Sequence, residues 1–329
     1  MRSVNRAALV VALATVAAGC GNYSTEDLRF LSALPHRDDL AVTVPTNTGA
    51  GPAALTGLTA LSATCASSIG DAEVWKWAKP TSDNLNTGVS WIIGLIDAVR
   101  QYSPTYRNTD SRRWGPFDAE RHPGREIQVV IDRSWPNGQD GTPTYAYRFE
   151  ARVKGTTPFT PLIWGTFVGA SASHGDGDVT LDFDAFWTVG VNELDTPHGR
   201  MTIRYSRSSD PVTTDLDLRS APAGGFGAVS FGYGYAGYAA GGGAFDYAFQ
   251  NVFGERLEVW TNYDAAGAGG LAVRYYPSGA TISTGSFRQC WDANACLVFV
   301  DDPLNLSCGV APCSAGSETA CLTAIPVPP

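Results

Sequence analysis

From Arg125 onward, apolar and polar residues alternate with a period of two over about 150 residues, a pattern that suits strands and no other regular element. In "TYAYRFEARVKG", Tyr145, Tyr147, Phe149, Ala151 and Val153 share one face, and Arg148, Glu150, Arg152 and Lys154 share the other. That is the pattern of a half-buried antiparallel strand. It recurs in Ile127/Val129/Ile131, Val179/Leu181/Phe183, Met201/Ile203/Tyr205, Leu216/Leu218, Phe231/Tyr233/Tyr235, Phe245/Tyr247/Phe249 and Leu257/Val259. Turn sequences such as "PNGQDG", "SHGDGD", "DTPHG", "APAGG" and "DAAGAGG" separate these runs. The spacing predicts a mainly β (α+β) fold. Its core is an antiparallel meander closing into an open barrel or sandwich of about 9–11 strands.

Ahead of the meander, "SDNLNTGVSWIIGLIDAVRQYSP" repeats apolar residues at alternating steps of four and three: Leu85, Val89, Ile92, Ile96 and Val99. Trp91, Leu95 and Tyr102 lie beside that stripe, and Pro104 ends it. The expectation is one long apolar helix over 84–102, packed on the concave face of the sheet. A shorter helix is expected in "STEDLRFLSALP", with Ser24 as its cap, acids in the first turn and Pro35 as its stop. The predicted organisation is a signal peptide over 1–19, a tether with that short helix over 20–51, the helix and β domain over 52–285, and a cysteine-rich tail over 286–329.

The first residues set the address. Arg2 and Arg6 precede an apolar stretch from Ala7 to Ala18, the length of a secretory h-region and too short to span a bilayer core of about 30 Å. The run stops at "AAGC", and this resembles the lipobox of bacterial lipoproteins, with Ala17 in place of the usual leucine. The resemblance implies acylation of Cys20, removal of residues 1–19 and, because Gly21 follows, sorting to the outer membrane. The expected location is therefore the cell envelope, at the periplasmic or surface face. Two or three acyl chains hold a protein stably where one is marginal.

Two further resemblances concern the body. A long apolar helix followed by a meander is similar in outline to the outer-membrane lipoprotein localisation factors, whose open barrel holds acyl chains. "FLSALPHRDDLAVTVP", "RRWGPFD" and "RQCWD" resemble stretches of uncharacterised lipoproteins of myxobacterial type. Neither implies an activity for this chain.

Removing Arg2 and Arg6 from the 23 Lys and Arg leaves 21 against 32 Asp and Glu, so the net charge goes from −9 to −11. Nucleic acid is thereby excluded as a partner, since phosphate binding needs clustered cations and the chain has no basic run. With Cys20 assigned to lipid, Cys65, Cys290, Cys296, Cys308, Cys313 and Cys321 form an even set in an exported chain, and three disulfides are expected. Cys290 with Cys296, across "CWDANAC", is the pairing the spacing favours. A zinc site does not fit, because there is no close C-x-x-C pair.

No linear signature of catalysis is present: G-x-S-x-G, H-E-x-x-H and Cys-His patterns are all missing, and His36, His122, His174 and His198 lie in turn-like sequence. "GYGYAG" matches G-x-G-x-x-G through Gly232, Gly234 and Gly237, but within an aromatic strand, where glycine lets rings pack over bare backbone. In "SHGDGDVTLDFD", Asp178, Asp182 and Asp184 are placed on one strand face, with Asp176 in the adjoining turn. These four are the candidate ligands for Ca²⁺, the one cofactor the pattern admits; none is otherwise predicted. The sequence therefore points to a lipid-anchored binding or scaffolding module, with envelope protein or glycan as partner. The alternatives are a carrier of an acyl or other apolar ligand, and an enzyme whose site leaves no linear trace.

Overall fold

A computed structural model of the protein describes residues 23–35, 40, 69, 72, 94, 101–138, 141–171, 174–193, 196, 198–221, 229–251, 253–294, 296–303 and 313–327. Helix α1 (Thr25–Ser32) leads into strands β1 (Tyr106–Arg107), β2 (Ser111–Asp118), β3 (Arg125–Ser134), β4 (Thr144–Val153), β5 (Thr160–Ser171) and β6 (His174–Asp182). Helix α2 (Phe183–Val189) separates β6 from β7 (His198–Ser206), followed by β8 (Val212–Ala221), β9 (Val229–Gly237), β10 (Gly243–Gln250) and β11 (Arg256–Tyr263). The chain closes with β12 (Gly269–Tyr276), β13 (Gly285–Trp291), β14 (Leu297–Asp302), β15 (Cys313–Gly316) and a 3-10 turn at Glu318–Ala320.

Among the described residues all 15 strands form one antiparallel sheet in strict chain order, open at β1 and β15. The meander is as expected; the closure into a barrel or sandwich is not, and the strand count exceeds the expected 9–11. The additional strands escape the period-two reading for local reasons. β2 is broken by a register shift between Trp114 and Phe117, β1 has two residues, and β13 to β15 continue the sheet into the segment read as a cysteine-rich tail over 286–329.

The register explains how so wide a sheet holds one face dry. Side chains from successive strands line up in rows: Ile131, Tyr147, Gly165, Val179, Ile203, Leu216, Tyr233, Tyr247, Val259, Val273 and Phe287 are successive cross-strand partners. All but the glycine belong to one buried apolar cluster. Burial of this kind contributes about 25 cal/mol per Å² of apolar surface, so the row is a main source of stability.

Glycines on this face receive aromatic rings. The Tyr147 ring lies over Gly165, where a Cβ would sit 2.7 Å from the ring, and its hydroxyl donates to the Asp178 carbonyl two strands away at 2.5 Å. Tyr205 covers Gly177 in the same manner. "GYGYAG" therefore reads as a strand with ring-over-backbone packing at Gly237, beneath the Tyr235 hydroxyl, while Gly232 and Gly234 alternate onto the other face. No helix follows it, as a dinucleotide site would require.

α1 forms where the sequence places it. The Ser24 hydroxyl accepts from the Asp27 N–H at 3.0 Å, and the Asp27 carboxylate accepts from the Ser24 N–H at 3.0 Å, completing a capping box. It is no free tether: Phe30, Leu31, Ala33, Leu34 and Leu40 are buried. Phe30 meets the Tyr145 ring edge-on at 5.5 Å, with the guanidinium groups of Arg112 and Arg133 at 4.5 and 5.0 Å from its centroid. Arg112 and Arg133 stand on the buried face of β2 and β3, where apolar side chains are the rule, and α1 supplies their counter-charges. Asp27 takes Arg112 at 2.6 Å and Arg107 at 3.1 Å, while Glu26 pairs with Arg133.

The long helix expected over 84–102 falls outside the described residues except for Gly94, which is helical and exposed, and the turn at Gln101 and Tyr102. Among the described residues the helices with complete bounds are α1, α2 and the 3-10 turn, and none of them is long. Cys20, Cys65 and Cys308 also lie outside the described residues.

Cys290 bonds to Cys321, not to Cys296, which corrects the expected pairing; Cys296 and Cys313 are disulfide-bonded as well. The reason is the path of the C-terminal segment across the outer face. Asn262, Gly270 and Cys290 are cross-strand neighbours on β11, β12 and β13. The segment crosses this row: Cys321 bonds Cys290, the Ala324 carbonyl accepts from Asn262 Nδ2 at 2.7 Å, and Ile325 lies on Gly270. A Cβ at Gly270 would stand 2.9 Å from Ile325 Cα, so only glycine leaves room. Cys296 closes the β13–β14 hairpin instead, its carbonyl accepting from the Asp292 N–H at 3.0 Å.

Candidate functional site

The polar cluster singled out in "SHGDGDVTLDFD" lies at β6 and the start of α2, and the structure distributes its acids instead of gathering them. β6 runs through Asp176 and Gly177, which pair with Val168 and Phe167 of β5, so Asp-Gly is strand and not turn. Asp176 accepts from the hydroxyls of Ser206 and Ser208, at 2.6 and 2.7 Å. Partial burial works against ionisation there, but the two serine hydroxyls outweigh it and lower the pKa. Asp178 accepts from the N–H and hydroxyl of Thr166.

Asp182 ends β6 and caps α2, accepting from the Ala185 N–H at 3.1 Å, and its other oxygen takes Arg200 at 2.8 Å. Asp184 belongs to α2, not to the strand, and stands 2.8 Å from Nδ1 of His198. Each acid has a separate partner. Among the described residues no three His, Cys, Asp or Glu side chains converge as a metal site would need, so the Ca²⁺ reading has no geometric basis.

What assembles instead is a mixed-charge depression of about 400 Å³ on the outer face, at the ends of β6, β7 and β8. Asp182, Asp184, Gly199, Arg200, Thr202, Asp217 and Arg219 line it. Asp182, Arg200 and Arg219 are cross-strand neighbours in one row, and Thr202 and Asp217 in the next. Arg200 also lies over the Trp164 ring, 5.5 Å from its centroid, which puts an aromatic face beside the depression. Asp217 and Arg219 pair at 3.3 Å with both side chains largely in solvent, the Arg219 side chain 81% exposed. Such a pair is worth little to stability and exchanges readily for a ligand's polar groups.

The α2 end of the depression is firmer. Trp187 stacks on His198 with centroids 5.0 Å apart and 15° between planes, and its indole N–H donates to the Thr196 carbonyl at 3.3 Å. The bond to His198, together with the Gly199 N–H and the charge of Arg200, holds Asp184 below the usual carboxylate range. Arg125 donates to the Val189 carbonyl at the C-terminus of α2, where a cation also suits the helix dipole. Asp184 is the carboxylate that His198 Nδ1 meets, and this pair fixes the imidazole at the edge of the depression. The arrangement provides alternating carboxylates and guanidinium groups beside an indole, which is a binding chemistry.

Of the four acids read from the sequence, Asp182 and Asp184 line this depression and Asp176 and Asp178 do not. Trp164, Arg200, Asp217 and Arg219 were not singled out. The last two were open to the same alternation argument, since Leu216 and Leu218 face inward and leave Asp217 and Arg219 on the outer face. Comparison with family models, with curated proteins and with solved structures finds no match to this chain.

Proposed function

We propose that the protein is a lipid-anchored module of the cell envelope, held at the outer membrane through acylated Cys20, that binds envelope glycan without transforming it. The observation that carries the binding half is the depression between β6, α2, β7 and β8. Asp182, Arg200 and Arg219 stand there in one cross-strand row and Asp217 in the next, beside the Trp164 ring. Polyhydroxylated ligands are held by planar carboxylate and guanidinium groups that accept and donate in pairs, with an aromatic face against the sugar ring. The anchor half is supported by "AAGC" directly after the h-region.

Carriage of an apolar ligand needs unfilled space on the buried face. On the described part of that face rings lie on glycine backbone, Tyr147 on Gly165 and Tyr205 on Gly177, which takes up the space at these two positions and favours the binding module.

Co-sedimentation with purified peptidoglycan, and calorimetry with soluble glycan fragments, test the reading. The wild-type protein should sediment with the polymer. Asp217→Ala with Arg219→Ala should weaken binding about tenfold or more at unchanged melting temperature, as expected for loss of charge-assisted hydrogen bonds. Absence of binding to any glycan, or equal binding by the double variant, contradicts it.

A further inference from the structure

In the reading above, Cys20 is the anchor, and three residues separate it from Ser24, the cap of α1. Extended chain advances about 3.5 Å per residue, so the cap lies within about 14 Å of the acylated cysteine. α1 is rigidly joined to the sheet through Asp27 with Arg107 and Arg112, Glu26 with Arg133, and the buried Phe30. An anchor on so short a lead, attached to so firmly docked a helix, orients the whole sheet. The end it holds down is where β1 ends, β2 begins and β3 stops, since Arg107 pairs with Arg112 near the start of β2, and Arg133 is the penultimate residue of β3 and pairs with Tyr145 near the start of β4.

That end differs in charge from the rest of the molecule. In a chain of net charge −9, it gathers Arg29, Arg107, Arg112, Arg113 and Arg133 against Glu26, Asp27, Asp110 and Asp132, a local excess of one cation. It also exposes Leu28 and Tyr106, 54% and 49% accessible, and the Arg113 guanidinium lies over the Tyr106 ring at 5.6 Å. An exposed leucine on α1, and an exposed tyrosine on β1 with the Arg113 guanidinium over its ring, meet at one end of the sheet from its two faces and suit the headgroup region of a bilayer, where amphipathic rings settle and cations meet lipid phosphates.

Resting on the anchor reading, we infer that the rim formed by α1, β1 and the start of β2 is a membrane-docking surface for anionic phospholipid, with Leu28, Arg29, Tyr106 and Arg113 in contact with headgroups. The opposite ends of β2 and β3, at the Glu120 turn, then point away from the bilayer. So does the corresponding end of β6 to β8, which carries the candidate binding site three to five strands across the sheet from β3. β3 has ten residues, which separates the two ends by about 30 Å at ~3.3 Å per residue.

The test uses the full acylated protein reconstituted in phosphatidylethanolamine–phosphatidylglycerol vesicles, with a fluorophore on Leu28→Cys or on Glu120→Cys and a quencher on the lipid headgroup. Both sites are exposed, so neither label disturbs the core. Quenching at position 28 should exceed that at position 120 several-fold, and Arg29→Gln with Arg113→Gln should reduce the difference at low salt. Equal quenching at the two positions in vesicles that carry the protein overturns the docking surface and leaves the anchor standing. Quenching at 28 that survives the double substitution removes anionic headgroups as the partner. Failure of the protein to float with vesicles, or a mature mass without an acyl increment, removes the anchor reading and the orientation together.

Discussion

Arg112 Nε donates to Oδ1 of Asp27 across 2.6 Å, and both side chains are almost wholly removed from solvent. The two residues stand 85 positions apart, one in the first helix and the other on the buried face of the second strand. Asp27 also completes the capping box of its own helix, so one carboxylate both starts α1 and fastens it to the sheet.

Removing one partner of a buried pair leaves the other charge uncompensated, typically at a cost of about 3–5 kcal/mol. Asp27→Asn is expected to destabilise the domain by about that amount in urea unfolding. A loss below about 1 kcal/mol would mean that Arg112 finds other partners.

The same carboxylate sets a pH dependence. Burial alone would raise its pKa, but the Ser24 N–H and hydroxyl and the Arg112 and Arg107 guanidinium groups outweigh this and hold it at about 2, against 3.8 for the free group. A group whose folded pKa is depressed contributes stability above its unfolded pKa and loses that contribution as pH falls through the folded value. Asp27 should therefore contribute about 2 kcal/mol above pH ~5, lost progressively toward pH ~2. Unfolding free energies across this window should fall less steeply in Asp27→Asn; parallel curves for the two proteins would refute the assignment.

On the buried face, a Cβ at position 165 would lie 2.0 Å from the Asp178 carbonyl oxygen and 2.5 Å from the Tyr147 hydroxyl. Gly165→Ala should consequently prevent folding or cost several kcal/mol through forced movement of backbone and ring. Tyr147→Phe keeps the ring over Gly165 and removes only the hydrogen bond to Asp178, with an expected loss of about 1 kcal/mol. A chemical-denaturation ranking in which the tyrosine variant is the worse would reverse the account of this contact.

At the C-terminal crossing, Gly270→Val should lift the segment around Ile325 while the Cys290–Cys321 bond remains. Limited proteolysis should then cut beyond Cys321 faster than in the wild type, with the sheet's circular dichroism unchanged. Cys321→Ser should give the same exposure together with a loss of about 2–4 kcal/mol, the usual contribution of a disulfide. Unaltered cleavage in both variants would show that the segment is not held by this row.

The strands that alternate cleanly, such as Tyr145 to Val153, were legible from periodicity, because one face of each is dry and the other wet. The capped helix at Ser24 was legible too, since capping chemistry is local. β13 to β15 were hidden because the outer face of β12 and β13 is itself covered by the C-terminal segment. Ala272 and Cys290 are buried on the side where polar residues are expected, and the period-two signal fades. Arg112 and Arg133 on the buried face break the alternation for a similar reason: their partners are 85 and 107 residues away, beyond any local pattern. The acids of "SHGDGDVTLDFD" looked convergent because a strand was extended through Asp184, whereas Asp182 caps a helix there and turns the chain.

The proposed anchor at Cys20 is tested most directly by the intact mass of the mature protein extracted from envelope membranes, run beside Cys20→Ser. The account predicts a chain beginning at Cys20 with the increment of a diacylglyceryl group and a further acyl chain, and release of the serine variant from the membrane fraction. A mature chain with an unmodified Cys20, or a serine variant retained in the membrane as strongly as the wild type, would contradict it.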